Sequence, residues 1–263
     1  MKPYLFSHLD EIAGRLSGRQ VSVFLDFDGT LAPIVNRPED AVLPTSMKEI
    51  LQQLAGVAPL AIVSGRGSGN AREKVGIPGL VYAGNHGLEI EGEGLSYTIP
   101  EAVAAQDKIA CVMAELRGVV DDLGMPGAVF EDKGLTASIH YRLLEGDVEA
   151  FLKALRNHLR PYAENGALRI VEGKKVVEIR PGVAWDKGKA VEWLLAQERF
   201  KGSIPVYAGD DLTDCDAFRA IDGTGISVAV GLHLDDADYY LRTQEEVEEF
   251  LRWLTSAIEA KRS

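Results

Sequence analysis

Aspartates stand in two places where apolar runs of this chain end. In FLDFDGTLAPI (24–34) an apolar and aromatic run closes on Asp26 and Asp28, and Gly29 and Thr30 then turn the chain. Alternation along an extended strand predicts that Asp26 and Asp28 point to the same side. Two carboxylates so placed repel one another, and they favour either a shared proton or a hard cation. A bare DxD after a strand is commonly a solvated turn; DxDGT behind an apolar run is a more specific signal. In AGDDLTD (208–214), Asp210, Asp211 and Asp214 follow a second apolar run and lead into a helix. A helix start tolerates acids and often takes one as its cap, which accounts for one or two of them but not for three. Together with Asp26 and Asp28 they predict an oxygen-only metal site suited to Mg2+ rather than Zn2+.

Two further motifs could handle an anion. IVSGRGSG (62–69) is a strand-like run ending in a glycine-rich turn. Ser64 can donate through its hydroxyl, and the N–H groups that follow at Gly65 and Arg66 can cradle an oxyanion. The spacing is GxGxG with Asn at position 70, so the dinucleotide fingerprint fails. Asp186-Lys187-Gly188-Lys189 opens a predicted helix. A lysine there that faced the sheet end would offset the carboxylates and hold a phosphate oxygen; an isolated exposed lysine would signal nothing.

The elements that must carry these residues alternate. VSVFLDF (21–27), LAIVSG (60–65), GLVYAGN (79–85), IPVYAGD (204–210) and GISVAVG (225–231) read as buried strands. Helical spacing marks 46–55, with Ser46 as its N-cap, then 186–197 capped by Asp186, 213–221 and 244–260. Continuous apolar strands alternating with helices predict an α/β fold, a Rossmann-like parallel sheet covered on both faces. Trp193 and Trp253 fall on apolar helix faces and read as core.

The middle of the chain differs. Residues 100–123 read as one long helix, followed by strand-like GAVFEDKG and LTASIHYRL joined at Lys133-Gly134. Residues 146–159 are again amphipathic and are followed by ALRIVEG and KKVVEIRP, joined at Gly173. This αββαββ pseudo-repeat predicts an inserted α+β domain over 100–183, flanked by a core in two parts, 1–99 and 184–263.

The four motifs, in this order, resemble those of the haloacid dehalogenase superfamily of phosphotransferases, and the insertion resembles its type IIB cap. Within it the chain is similar to the trehalose-6-phosphate phosphatase family, through LDFDGTLAPI, SGR, AGNHGLEI (83–90), FEDK (130–133), HYR (140–142), VVEIRPG (176–182), DKGKA and GDDLTDCDAF (209–218). It departs at Cys215, where the family usually has Glu. The resemblance implies Mg2+-dependent hydrolysis of a sugar phosphate, with Asp26 as nucleophile and Asp28 as acid and base. It implies metal ligation by Asp26, the Asp28 carbonyl and Asp210, with Asp214 close by. Gly29, Thr30, Ser64, Gly65, Arg66 and Lys187 would join Asp26 in binding phosphate. Sugar recognition would fall to Glu131, Lys133 and Glu178, with Asn85, His86, His140, Arg142 and Asp211 as further candidates. From the strand pattern alone, His140 and Arg142 could face either a cleft or solvent. A phosphatase or phosphomutase for another sugar phosphate shares these motifs. A binding protein without activity would have no use for both Asp26 and Asp28.

Composition bounds the rest. The 263 residues are 46% hydrophobic and 26% charged, as in ordinary globular proteins. Lys and Arg total 28 against 40 acids, a net charge of −12, which argues against a nucleic-acid partner. Such acidity gives no long-range help to an anionic substrate, so phosphate requires a local device. Cys111 and Cys215 show no metal or redox spacing and fit a reducing, cytoplasmic compartment. Asp10 and Glu11 interrupt any secretory apolar region, and no apolar run approaches the roughly 18 residues of a membrane span. No membrane association, no further domain ahead of the first motif and a monomeric state are expected. His8, His158 and His233 read as surface or packing residues.

Overall fold

A computed structural model describes residues 2–231, 234 and 236–260; His233 lies outside them. In chain order the elements are α1 (Leu9–Leu16), β1 (Val21–Leu25), α2 (Thr45–Val57), β2 (Leu60–Val63), α3 (Ser68–Val75), β3 (Val81–Gly84), β4 (Glu89–Gly92) and β5 (Leu95–Thr98). There follow α4 (Pro100–Ala104), α5 (Gln106–Leu123), β6 (Val129–Asp132), β7 (Ala137–His140), α6 (Val148–Glu164), β8 (Leu168–Gly173) and β9 (Val176–Pro181). The last are α7 (Lys187–Leu195), β10 (Ile204–Gly209), α8 (Asp214–Ala220), β11 (Ile226–Val230), β12 (Tyr239–Leu241) and α9 (Glu245–Glu259). The chain divides into two units. One comprises residues up to Val35, Glu39–Tyr97 and everything from Trp185; the other comprises Asn36–Pro38 and Thr98–Ala184.

The first unit is built on an eight-stranded sheet of order β12-β11-β10-β1-β2-β3-β4-β5, parallel from β12 to β3. Alternation along the buried strands feeds two cores. Val23, Leu25, Ile62, Val206 and Val228 face residues of α1, α2 and α9. Phe24, Val63, Ala83, Tyr207 and Ala229 face α7 and α8. Burial of each large apolar side chain contributes about 1.5–3 kcal/mol, so a sheet apolar on both faces is held firmly between its helices. The chain winds outward in opposite directions from the neighbouring strands β1 and β10. The crevice beyond their carboxyl ends is therefore the topological switch point, where open α/β sheets bind ligands.

Local details depart from the sequence reading. The helix expected to start at a Ser46 cap starts at Thr45, and the Ser46 hydroxyl instead donates to Glu248 Oε2 of α9 at 2.7 Å. The single helix expected over 100–123 is broken at Ala105 into α4 and α5. The β4–β5 hairpin and the short edge strand β12 went unread. The β4 and β5 side chains are largely half-buried or exposed and give no continuous apolar run. Asp186 does cap α7, accepting the Lys189 N–H at 2.9 Å.

The second unit is an antiparallel sheet of order β6-β7-β9-β8 with α5 and α6 on one face. Ala137, Ile139, Val177 and Ile179 point into that core with Val112, Leu116, Phe151 and Leu155. Period-2 alternation consequently sends Glu131, Ser138, His140, Glu178 and Arg180 to the opposite face. Register places Glu131, Ser138 and Glu178 in one row across three strands. No helix among the described residues is long and apolar enough to cross a membrane.

Candidate active site

Asp26 follows β1 directly, with its N–H donating to the Ala208 carbonyl of β10 at 3.0 Å. Asp210 follows β10, and Asp214 opens α8. All three are buried, and each offers a carboxylate oxygen within 4.8 Å of the others. Gly29 makes this approach possible. It sits at φ +83°, and a Cβ there would collide with the Asp210 carboxylate, so conformation and space both require glycine.

Lys187, the first residue of α7, reaches into this cluster. Its Nζ donates to Asp26 Oδ1 and to Asp214 Oδ1, each at 2.7 Å. Asp214 also accepts the Tyr207 hydroxyl at 2.7 Å on Oδ1 and the Asp211 N–H at 3.0 Å on Oδ2. One ammonium thus bridges two of the three buried carboxylates. Burial, reinforced by Asp214 and Asp210 and opposed by Lys187, holds the Asp26 carboxyl well above its ordinary pKa. For Lys187, burial favours the neutral form, but the attraction of Asp214 and Asp26 prevails and keeps it charged. The excess negative charge and the all-oxygen donor set fit a hard divalent cation. Cys215 adds no thiolate: burial pushes its pKa up to about 11.

Asp28 stands apart from this cluster. Strand β1 ends at Leu25, so the alternation that was to align Asp28 with Asp26 stops short of it. The backbone turns instead, with Leu31 and Ala32 N–H both donating to the Phe27 carbonyl at 2.9 Å. The Asp28 side chain, 39% exposed, is gripped by Arg66. Arg66 was expected on phosphate, but its guanidinium is occupied by Asp28 and by Asn70 Oδ1 at 3.0 Å. Its Cζ also lies 5.3 Å from the Phe27 ring centroid.

The remaining motif residues fall into distinct places. Ser64 is buried at the end of β2, and its Oγ accepts the Arg66 N–H at 3.1 Å. Gly65 lies against the His86 ring, which a Cβ there would strike at 2.8 Å. Thr30 is fully buried, and its hydroxyl has no partner among the described atoms. Asn85 is fully buried too, and its side-chain amide donates to Glu89 Oε1 at 2.8 Å. That bond ties the turn after β3 to β4. Asp211 Oδ1 accepts the Leu212 N–H at 2.8 Å within its own turn.

A second polar cluster lies within the other unit, on the sheet face opposite its helices. Lys133 Nζ is 3.2 Å from Glu178 Oε1 and 3.9 Å from Glu131 Oε2. His140 Nε2 is 2.8 Å from Glu131 Oε2. Arg180 donates from Nε to Glu178 Oε2 at 2.9 Å, and its Nη2 bonds the same oxygen. Arg142, expected with this group, is beyond the end of β7 and donates to the Lys174 carbonyl at 3.1 Å. Sequence reasoning missed Arg180, which the alternation of VVEIRP places two residues from Glu178 on the same face. It also missed Tyr207, where a buried phenol in an apolar strand demands a hydrogen-bond partner.

A family model described as trehalose-phosphatase matches residues 24–236. The chain is 40% identical over 232 residues to a trehalose-phosphate phosphatase of Mycobacterium tuberculosis (strain ATCC 25618 / H37Rv), covering 86% of this chain and 58% of that protein. It is 41% identical over 224 residues to an uncharacterized glycosyl hydrolase of M. tuberculosis (strain CDC 1551 / Oshkosh), covering 82% of this chain but 16% of that protein. The chain therefore spans less than two thirds of these relatives. Among solved structures it is similar to the C-terminal domain of C. albicans trehalose-6-phosphate phosphatase, with a TM-score of 0.81 and 22% identity over 97% of this chain and 98% of that one.

Proposed function

The chain belongs to the trehalose-phosphatase family, and from that premise we propose that it hydrolyses trehalose 6-phosphate to trehalose and phosphate. The observation that carries the reading is the buried cluster at the switch point: Asp26, Asp210 and Asp214 together, with the Lys187 ammonium on Asp26 and Asp214, and Asp28, outside the cluster, held by Arg66.

An Asp26 carboxylate oxygen attacks phosphorus in line, the bond to the sugar oxygen breaks, and an aspartyl phosphate forms on Asp26. Asp28 gives a proton to the departing sugar oxygen. It then takes one from the water that attacks the aspartyl phosphate, so phosphate leaves and Asp26 is restored. The Arg66 fork orients Asp28 as the carboxylate that takes the proton from water; to give a proton in the first step, Asp28 carries it on an oxygen released from Arg66. Ser64 and Lys187 hold phosphoryl oxygens, where charge spread over the transferring group makes electrostatic positioning the main contribution. Asp26, Asp210 and the Asp28 carbonyl would hold Mg2+, whose charge offsets the repulsion between carboxylate and phosphate. Asp214, already accepting from Lys187, Tyr207 and the Asp211 N–H, orients the lysine.

Residues 98–184 serve as a cap whose polar face carries sugar recognition. Glu131, Lys133, His140 and Glu178 offer acceptors and donors suited to hydroxyl groups, and a site built for such bonds penalises a substrate lacking them. The two thiols are free, as suits a cytoplasmic enzyme. The test is phosphate release from trehalose 6-phosphate, sucrose 6-phosphate, glucose 6-phosphate and an aryl phosphate, with and without Mg2+. Preference for trehalose 6-phosphate is expected; equal rates on all four would overturn the substrate assignment.

A further inference from the structure

The loops following β2 and β3 are bonded to one another along their length. The Asn85 N–H donates to the Arg66 carbonyl at 2.7 Å and the His86 N–H to the Ser64 carbonyl at 2.8 Å. Glu89 Oε1 accepts the Ser68 N–H at 2.7 Å and the Asn85 side-chain amide at 2.8 Å. To make these bonds, Asn85, His86 and Gly87 adopt φ values of 51°, 59° and 89°. Three consecutive left-handed residues, one of them histidine, are a conformation that L-residues resist. Such backbone persists only where its surroundings over-determine it, and it gathers at functional sites.

The surroundings include a residue distant in sequence. Trp185 Nε1 donates to the Gly87 carbonyl at 2.8 Å. Gly87 is pressed against α7, where a Cβ would collide with that of Ala190 and lie 3.2 Å from Trp185 Nε1. The Trp185 ring is held in turn by Tyr97, at 6.2 Å between centroids, and Tyr97 stacks on Trp193 at 4.8 Å with 11° between planes. A rigid aromatic group thus holds the indole N–H on the end of the left-handed turn.

We propose that Trp185 is a positioning residue for phosphoryl transfer: its N–H clamps the Asn85–Gly87 turn, and that turn holds Ser64 and Arg66 where the reaction uses them. The inference rests on the phosphatase reading above. Ser64 faces the phosphate and Arg66 orients Asp28, so one loop displacement would disturb both. Trp185 itself touches neither the carboxylate cluster nor, in this scheme, the phosphate.

The test uses the full chain with Trp185→Phe, which keeps a ring against Tyr97 and deletes the donor together with the five-membered part of the indole. Amide hydrogen exchange reads the turn directly and independently of which ester is hydrolysed. Exchange at Asn85 and His86 is expected to quicken while α2 and α9 stay protected. At temperatures where the variant is fully folded, kcat on trehalose 6-phosphate is expected to fall about tenfold, as a displaced reacting group would cause. In a Ser64→Ala background, W185F is expected to change kcat/KM less than in wild type, because only the route through Arg66 then remains. Unchanged exchange at Asn85 and His86, or losses that multiply independently in the double variant, would overturn the proposal. If wild type proved inactive on trehalose phosphate, the substrate assignment would fail while the exchange result still decided the clamp. Should W185F not fold, Trp185→Tyr is read by the same exchange experiment.

Discussion

Arg66 grips Asp28 along one edge of its guanidinium, Nε to Oδ2 and Nη2 to Oδ1, each at 2.7 Å. Such a fork imposes orientation as well as attraction. It fixes the plane of the carboxylate that, in the proposed mechanism, meets first a leaving oxygen and then a water. Arg66→Lys retains the charge and loses the fork. It should lower kcat by about tenfold or more, as misorientation of a reacting group does, with a smaller change in KM. Steady-state kinetics decide this: a raised KM with unchanged kcat would return Arg66 to the phosphate.

The carboxylate cluster makes metal binding measurable as stability. A ligand at a hundredfold excess over its Kd adds about 2.7 kcal/mol, so Mg2+ should raise the melting temperature of the metal-free protein. Asp210→Asn should lose most of that rise. The pH dependence has a definite sign. Asp26 is held above its ordinary pKa by burial and by its acidic neighbours, so its contribution to metal-free stability is greatest below the unfolded value and is lost as pH rises through the folded one. The margin of wild type over Asp26→Asn should therefore shrink with rising pH when metal is absent. A margin that grew with pH would contradict the arrangement.

Tyr207 offers Asp214 a neutral donor. Burial, with the nearby Asp214 charge, raises the pKa of its hydroxyl well above the ordinary value, so the phenol stays protonated. Tyr207→Phe removes that bond from a fully buried carboxylate and should cost about 1–2 kcal/mol. The cost should be visible in thermal melts as a drop of about 2–8 °C. An unshifted melting temperature would mean that Lys187 and the Asp211 N–H suffice to hold Asp214.

On the polar face of the four-stranded sheet, Arg180 and Lys133 engage opposite oxygens of Glu178. Glu178→Gln and Arg180→Lys should each raise KM for trehalose 6-phosphate by about tenfold, the worth of one good polar contact at roughly 1.4 kcal/mol. Neither should change turnover of a simple aryl phosphate, which presents no second sugar. Parallel kinetics on the two substrates separate recognition from catalysis; equal losses on both would place these residues in the chemistry.

What the sequence disclosed follows from where chemistry condenses. The parallel sheet was legible because β1, β2, β10 and β11 are apolar on both faces, and Asp26, Asp210 and Lys187 could be grouped because each abuts such an element. Side-chain partners were not legible. Whether Arg66 meets phosphate or Asp28 depends on two loops separated by 38 positions, and whether Trp185 finds Gly87 depends on a separation of 98. The alternation argument for Asp28 has no strand to run on, because β1 ends at Leu25 and the chain turns after it. The β4–β5 hairpin escaped because half-exposed strands carry too little apolar pattern to announce themselves.

The core chain breaks off at Tyr97 and resumes at Trp185, and those two rings lie 6.2 Å apart. To the core, everything between them is one loop closed at a narrow neck. The entropic cost of such a loop grows only with the logarithm of its length, so a segment of different size or fold could occupy the same neck at little expense to the sheet. Asp26, Asp28, Ser64, Lys187, Asp210 and Asp214 all lie outside it. A change in the length of that segment therefore leaves the strands and helices that carry these six residues in place.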